Sequence, residues 1–255
     1  MPFDWISAPG LSDTGFLFLI GVSFLTSAIS ATFGLGGGVL LLVLMTYFLP
    51  VAALIPVHGA VQFGSNLSRM LVQRRHAVWP VLLPMLAGGV FGCLAGAVFT
   101  VRLDDAVLRL VMGVAIIILI WLPKQSGASL TRPTLVVVGG VINFISMVVG
   151  AAGPLTGTAL SRTIDGRHAL VASQAVFQTA QHGLKVLAFG VAGFLLAPWL
   201  VLICAMLVTG FLGTLAGSLI LAKSNDRLFS LVFKIVITAL ALDLLRRGSE
   251  GINYA

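Results

Sequence analysis

The chain has 255 residues, of which 58% are hydrophobic and only 9% charged, and its mean hydropathy is +1.09. A soluble domain carries about 25% charged residues, so a soluble globular protein is excluded and a chain embedded in a lipid bilayer is indicated. The net charge of +7 is not a nucleic-acid signal. Most cations (Arg74, Arg75, Arg102, Lys124, Arg132, Lys223, Arg227, Arg246, Arg247) stand in short connections, where basic residues stop and orient membrane helices.

Residues 1–14 hold no Lys or Arg. They lack the basic region of a signal peptide, so the first apolar run is expected to stay in the mature protein. Apolar runs follow at about 15–33, 36–49, 55–73, 78–100, 105–122, 133–152, 169–190, 198–221 and 228–245. A helix needs roughly 20 apolar residues to cross the hydrocarbon core. The run at 36–49 is too short and is expected to be a half-helix or re-entrant piece. Trp79, Trp121 and Trp199 mark run edges as an interfacial belt does, with Pro80, Pro123 and Pro198 beside them as end markers. Cys93 and Cys204 lie in apolar runs with no metal-ligand spacing and are expected to act as small hydrophobes. No separate soluble domain fits, so residues 1–255 read as a single all-α polytopic transmembrane domain.

Two polar stripes interrupt the apolar sequence 116 positions apart: His58, Gln62, Asn66, Arg69 and Gln174, Gln178, His182, Lys185. The spacing i, i+4, i+8, i+11 is one helix face. Gly34 and Gly150, Gly37 and Gly153, Ser27 and Asn143, and Ser30 and Ser146 match at the same offset. Gly92 and Gly213, Gly96 and Gly217, and Asp105 and Asp226 match at 121. The halves therefore read as homologous repeats, 15–122 and 134–247, joined by a linker at 123–133. The connection with Arg74, Arg75 and His76 is the strongest cytoplasmic candidate, whereas its equivalent at 190–197 is uncharged. That asymmetry favours inverted repeats, although inversion would place Arg246 and Arg247 outside.

Polar groups in lipid are costly, so paired stripes suggest a shared cavity between repeats. Only Asp165 and Asp243 are candidates for buried carboxylates, which leaves little to hold a cation and several donors to hold an anion. Gly34-Leu35-Gly36-Gly37-Gly38 has no βαβ context, so it is no dinucleotide fingerprint. It serves either close helix packing or a helix break that exposes backbone N–H groups. Four glycines in five residues disfavour a continuous helix by roughly 1 kcal/mol each, and the matching segment ends in Gly153-Pro154.

The glycine run, the polar-lined segment after it and the Gly92/Gly96 pair resemble the sulfite exporter TauE/SafE family over roughly 15–247. Departures are the absence of a proline soon after the first glycines and a degenerate second motif. The resemblance implies export of sulfite, sulfoacetate or a related sulfur-containing anion across the inner membrane. Candidate substrate-binding residues are Gly36, Gly37, Gly38, His58, Gln62, Asn66, Arg69, Gly153, Gln174, Gln178, His182 and Lys185. Each has a plainer reading: snorkelling for the cations, interhelical hydrogen bonds for the imidazoles and amides, and packing for the glycines. The resulting expectation is a secondary transporter working by alternating access, with no cofactor. Its partners are a small anion and the bilayer, not nucleic acid, with a homodimer left open. An anion channel is the alternative; an intramembrane enzyme fits less well, because G-x-S-G, H-E-x-x-H and paired aspartates are absent.

Overall fold

The computed structural model describes residues 8–33, 36–100, 103–122, 129–220 and 226–253. Gly34, Leu35, Arg102, Lys124 and Lys223 fall outside them. The described residues form ten α-helices: α1 (Asp13–Phe33), α2 (Gly37–Met45), α3 (Val51–Gln73), α4 (Trp79–Thr100), α5 (Asp105–Trp121), α6 (Arg132–Val149), α7 (Gly153–Ser161), α8 (Arg167–Val191), α9 (Leu200–Ile220) and α10 (Asp226–Asn253). Short 3₁₀ turns at Arg74–His76 and Ala197–Trp199 join α3 to α4 and α8 to α9.

Among the described residues, four stretches are long and apolar enough to cross a membrane: Asp13–Ala31, Trp79–Thr100, Arg132–Val149 and Ala197–Gly217. They pack as two pairs, α4 on α6 and α1 on α9, the two most extensive helix contacts in the fold. Small residues make the approach close. A Cβ on Gly88 would overlap the carbonyl of Val136, one on Gly92 that of Gly140, and one on Gly213 that of Phe24. Gly88, Gly92 and Gly96 meet residues 136, 140 and 144–147 in rising order, so α4 and α6 run parallel. Gly213 and Gly217 meet Phe24 and Ala28, so α1 and α9 also run parallel. The opposite faces expose Phe91, Leu94, Val137, Val141, Leu25 and Phe211, an apolar coat suited to lipid.

The other long helices pair antiparallel. The Trp121 indole donates to Thr238 Oγ1 at 2.8 Å, while Gly248 and Gly251 meet Ala106, which joins α5 to α10 head to tail. His58 stands beside His182, and the Val78 amide, just beyond α3, donates to Ser173 Oγ at 2.9 Å. Thus α3 runs against α8. These two carry the polar stripes and occupy the interior. His58, Asn66, Ser173, Gln181, His182 and Lys185 are all buried.

Two helical hairpins have short returning arms. Each returning arm, α2 and α7, has nine residues, about 13.5 Å of helix against a core of about 30 Å. Gly37 of α2 lies against Thr26 and Ser30 of α1, and the chain comes back until Phe48 stacks on Phe18, with centroids 4.9 Å apart. In the second hairpin the Leu130 amide donates to Thr163 Oγ1, which ties the end of α7 to the start of α6. Both tips turn on a glycine: Gly36 has φ +100° and Gly150 has φ +90°, a region that side-chain-bearing residues rarely enter.

The 36–49 run is thus a short returning helix, as its length suggested. α7 was not among the expected runs, and the 133–152 run ends at Val149. Neither candidate carboxylate is buried, and Asp165 is exposed as its polar neighbours suggested. Asp243 is partly exposed and accepts from Tyr47 Oη at 2.9 Å and from both arginines that follow it. Arg247 also donates to Thr46 and lies over the Tyr47 ring, fastening the foot of α2 to α10. Cys93 and Cys204 are free thiols; Cys93 is buried with Sγ 3.6 Å from Met147 Sδ.

Candidate functional site

The two hairpin tips meet a cavity of about 40 Å³ between α3 and α8. Gly36, Gly38 and Val39 line it from the first tip, and Ala151, Ala152, Gly153 and Pro154 from the second. These are the N-terminal ends of α2 and α7. An α-helix leaves its first N–H groups without intrahelical partners and carries a partial positive charge there. Two such ends facing one small volume favour an anion.

The stripes supply the rest of the wall: Gln62 and Arg69 from α3, and Gln174, Gln178 and His182 from α8. Arg69 is held in place by its neighbours. Its Nη2 donates to Asn66 Oδ1 at 2.8 Å, and Asn66 Nδ2 in turn donates to the Gln62 carbonyl at 2.8 Å. Gln174 Nε2 reaches the Gly153 carbonyl at 3.4 Å. Among the described residues, no carboxylate lines the cavity.

Four of the candidate residues stand behind the wall. His58 Nε2 lies 2.9 Å from the Gly38 carbonyl. Asn66 holds Arg69. Lys185 donates from Nζ to the Gly150 carbonyl at 2.6 Å. Gly37 faces α1. Ser30, matched to Ser146 in the sequence, joins the lining. Behind α8, Gln181 Nε2 donates to Asn143 Oδ1 and Asn143 Nδ2 to the Gly89 carbonyl, both at 2.8 Å. This chain links α8, α6 and α4.

The glycines separate packing from binding. A Cβ on Gly37 would overlap the Thr26 carbonyl and the Ser30 hydroxyl, whereas on Gly38 it would meet only the amide end of Gln62. Gly37→Ala is expected to prise α2 from α1 and lower the melting temperature sharply. Gly38→Ala is expected to keep the fold and push Gln62 out of position, weakening anion binding. Melting and binding of both variants check this. A Gly37→Ala protein that melts like wild type, or a Gly38→Ala protein that binds like it, refutes the corresponding half.

Comparison with known proteins supplies one finding. No curated protein and no solved structure matches the chain. The sulfite exporter TauE/SafE family matches residues 19–244, which span both hairpins, both stripes and the cavity. The chain belongs to this family of integral membrane transporters, which are not enzymes.

Proposed function

We propose that this protein is a secondary transporter that exports sulfite or a small organosulfonate across the inner membrane, by alternating access at the cavity between two inverted repeats. The observation that carries this reading is the convergence of two helix N-termini and Arg69 on a small volume with no carboxylate. An oxyanion or sulfonate offers the acceptor atoms that these N–H groups and the guanidinium need. The chain contains no nucleotide-binding motif, so the anion's own gradient or a coupled ion must drive transport.

Helix directions support inversion. If α1–α5 correspond to α6–α10, the pairing of α4 with α6 mirrors that of α9 with α1, and α3 with α8 and α5 with α10 become self-mirroring contacts. The last two pairs are antiparallel, as inverted equivalents must be. Charge supports an orientation. Arg74, Arg75, Arg132 and Arg162 share one side, which is the cytoplasmic side by the excess of basic residues. Arg246 and Arg247 lie on the other, ion-paired with Asp243 and Glu250.

Proteoliposomes test the reading. Efflux of labelled sulfite or sulfonate is expected to accelerate when unlabelled anion is present on the opposite side, which a channel does not show. Sulfite or methanesulfonate should raise the melting temperature, by about 2.7 kcal/mol of stabilisation at a hundredfold excess over Kd. Matched ammonium should not. A shift specific to cations would overturn the anion reading.

A further inference from the structure

Lys185 is fully buried yet does not reach the cavity. Its Nζ sits on the Gly150 carbonyl at the C-terminal end of α6, where the helix dipole favours a cation. The charged and titratable groups facing it are His58 from α3, Cys93 from α4 and, on its own helix, His182; Arg69 lies further along α3. α6 and α7 turn no titratable side chain toward it. No carboxylate among the described residues stands in this core to pair with it.

A lone buried ammonium costs several kcal/mol unless a counter-charge is near. On the anion-transport reading, an anion bound in the cavity supplies that counter-charge. His182 walls the cavity, and its ring centroid is 6.0 Å from that of His58. Both rings keep a buried Nδ1 without a hydrogen-bond partner among the described residues. Of these three, His182 alone lines the cavity, and Lys185 and His58 stand behind it.

We propose that Lys185 takes up a proton when an anion enters the cavity and releases it when the anion leaves, with His58 and His182 as the relay. This inference rests on the anion-transport reading above. The proton comes from water on the side of entry, forms an N–H bond at the lysine nitrogen, and returns to water on the side of exit. No electron is transferred. A monovalent sulfonate is then carried with one proton, without net movement of charge.

The test uses the purified full-length protein and methanesulfonate, a strong-acid anion with no proton of its own to exchange near neutral pH. Proton uptake is read in weakly buffered solution with an indicator dye, and affinity is measured across pH. Wild type is expected to take up a proton on binding and to lose affinity toward high pH by up to about tenfold per pH unit. Lys185→Arg, which carries a fixed charge, should bind without uptake and with an affinity indifferent to pH. Lys185→Met supplies a second variant that must likewise show no uptake. Wild-type binding that is independent of pH and moves no proton would overturn the coupling while leaving anion transport standing. Uptake that persists in either variant would remove Lys185 from it. Failure of any anion to bind, with cations binding instead, would overturn both.

Discussion

Replacing Arg69 with methionine is expected to weaken binding of methanesulfonate or sulfite by about tenfold to a hundredfold, while the protein still inserts and melts cooperatively. A hydrogen bond to a charged group contributes about 1.5–3 kcal/mol, and each 1.4 kcal/mol is about tenfold in affinity. Arg69 is the cavity's one charged side chain among the described residues, so no neighbour can take over its role. Asn66→Ala should produce a smaller loss, because it removes only the tether that orients the guanidinium. Arg69→Lys should recover part of the affinity, since a point charge replaces a planar fork. Isothermal titration or anion-dependent melting measures all three. An Arg69→Met protein within twofold of wild type would show that helix ends and amides alone hold the anion.

A large loss of stability is expected at Gly92. A Cβ there would overlap the Gly140 carbonyl oxygen. Both partners are backbone, so no side chain can swing aside and α4 must move away from α6. Overpacking of this kind costs about 1–3 kcal/mol, and here it strikes the most extensive helix contact in the fold. Gly92→Ala should therefore lower the melting temperature by several degrees, and Gly139→Ala, which meets the Met85 carbonyl, should do the same. Gly21→Ala is the control. Nothing lies within 4 Å of its Cβ position, and alanine favours helix over glycine by up to about 1 kcal/mol. If Gly92→Ala and Gly21→Ala melt together, close backbone packing does not hold this pair.

Most helix boundaries were legible because apolar runs bounded by Trp, Pro and Arg are strong signals. The expected run 105–122 is observed as Asp105–Trp121, and 55–73 as Val51–Gln73. α7 was not legible. Its sequence GPLTGTALS is short, carries two glycines and has three hydroxyls, so neither hydropathy nor propensity marks it; only its role as the returning arm of a hairpin makes it helical. The stripes were legible as faces but not as a wall. Equal offsets in sequence suggest equal roles, yet α3 and α8 run in opposite directions. Residues at the same step of the two stripes therefore lie at opposite ends. Arg69 falls toward Gln174 and Gln178 at the cavity, while Lys185 falls beside Gly59 and His58, beyond it.

The partnership of α1 with α9 has a consequence for biogenesis. The Ser23 hydroxyl is satisfied by the Met206 carbonyl, 183 residues later, and Thr209 reaches back to Ile20. At about 5–20 residues per second, the first helix enters the bilayer roughly 10–40 s before its mate is synthesised. During that wait its serine-bearing face has only lipid, the translocation machinery or a transient neighbour beside it. α4 has a far shorter wait before α6 arrives. The α4–α6 pair can therefore close before the α1–α9 pair, whose second partner is made last of these four.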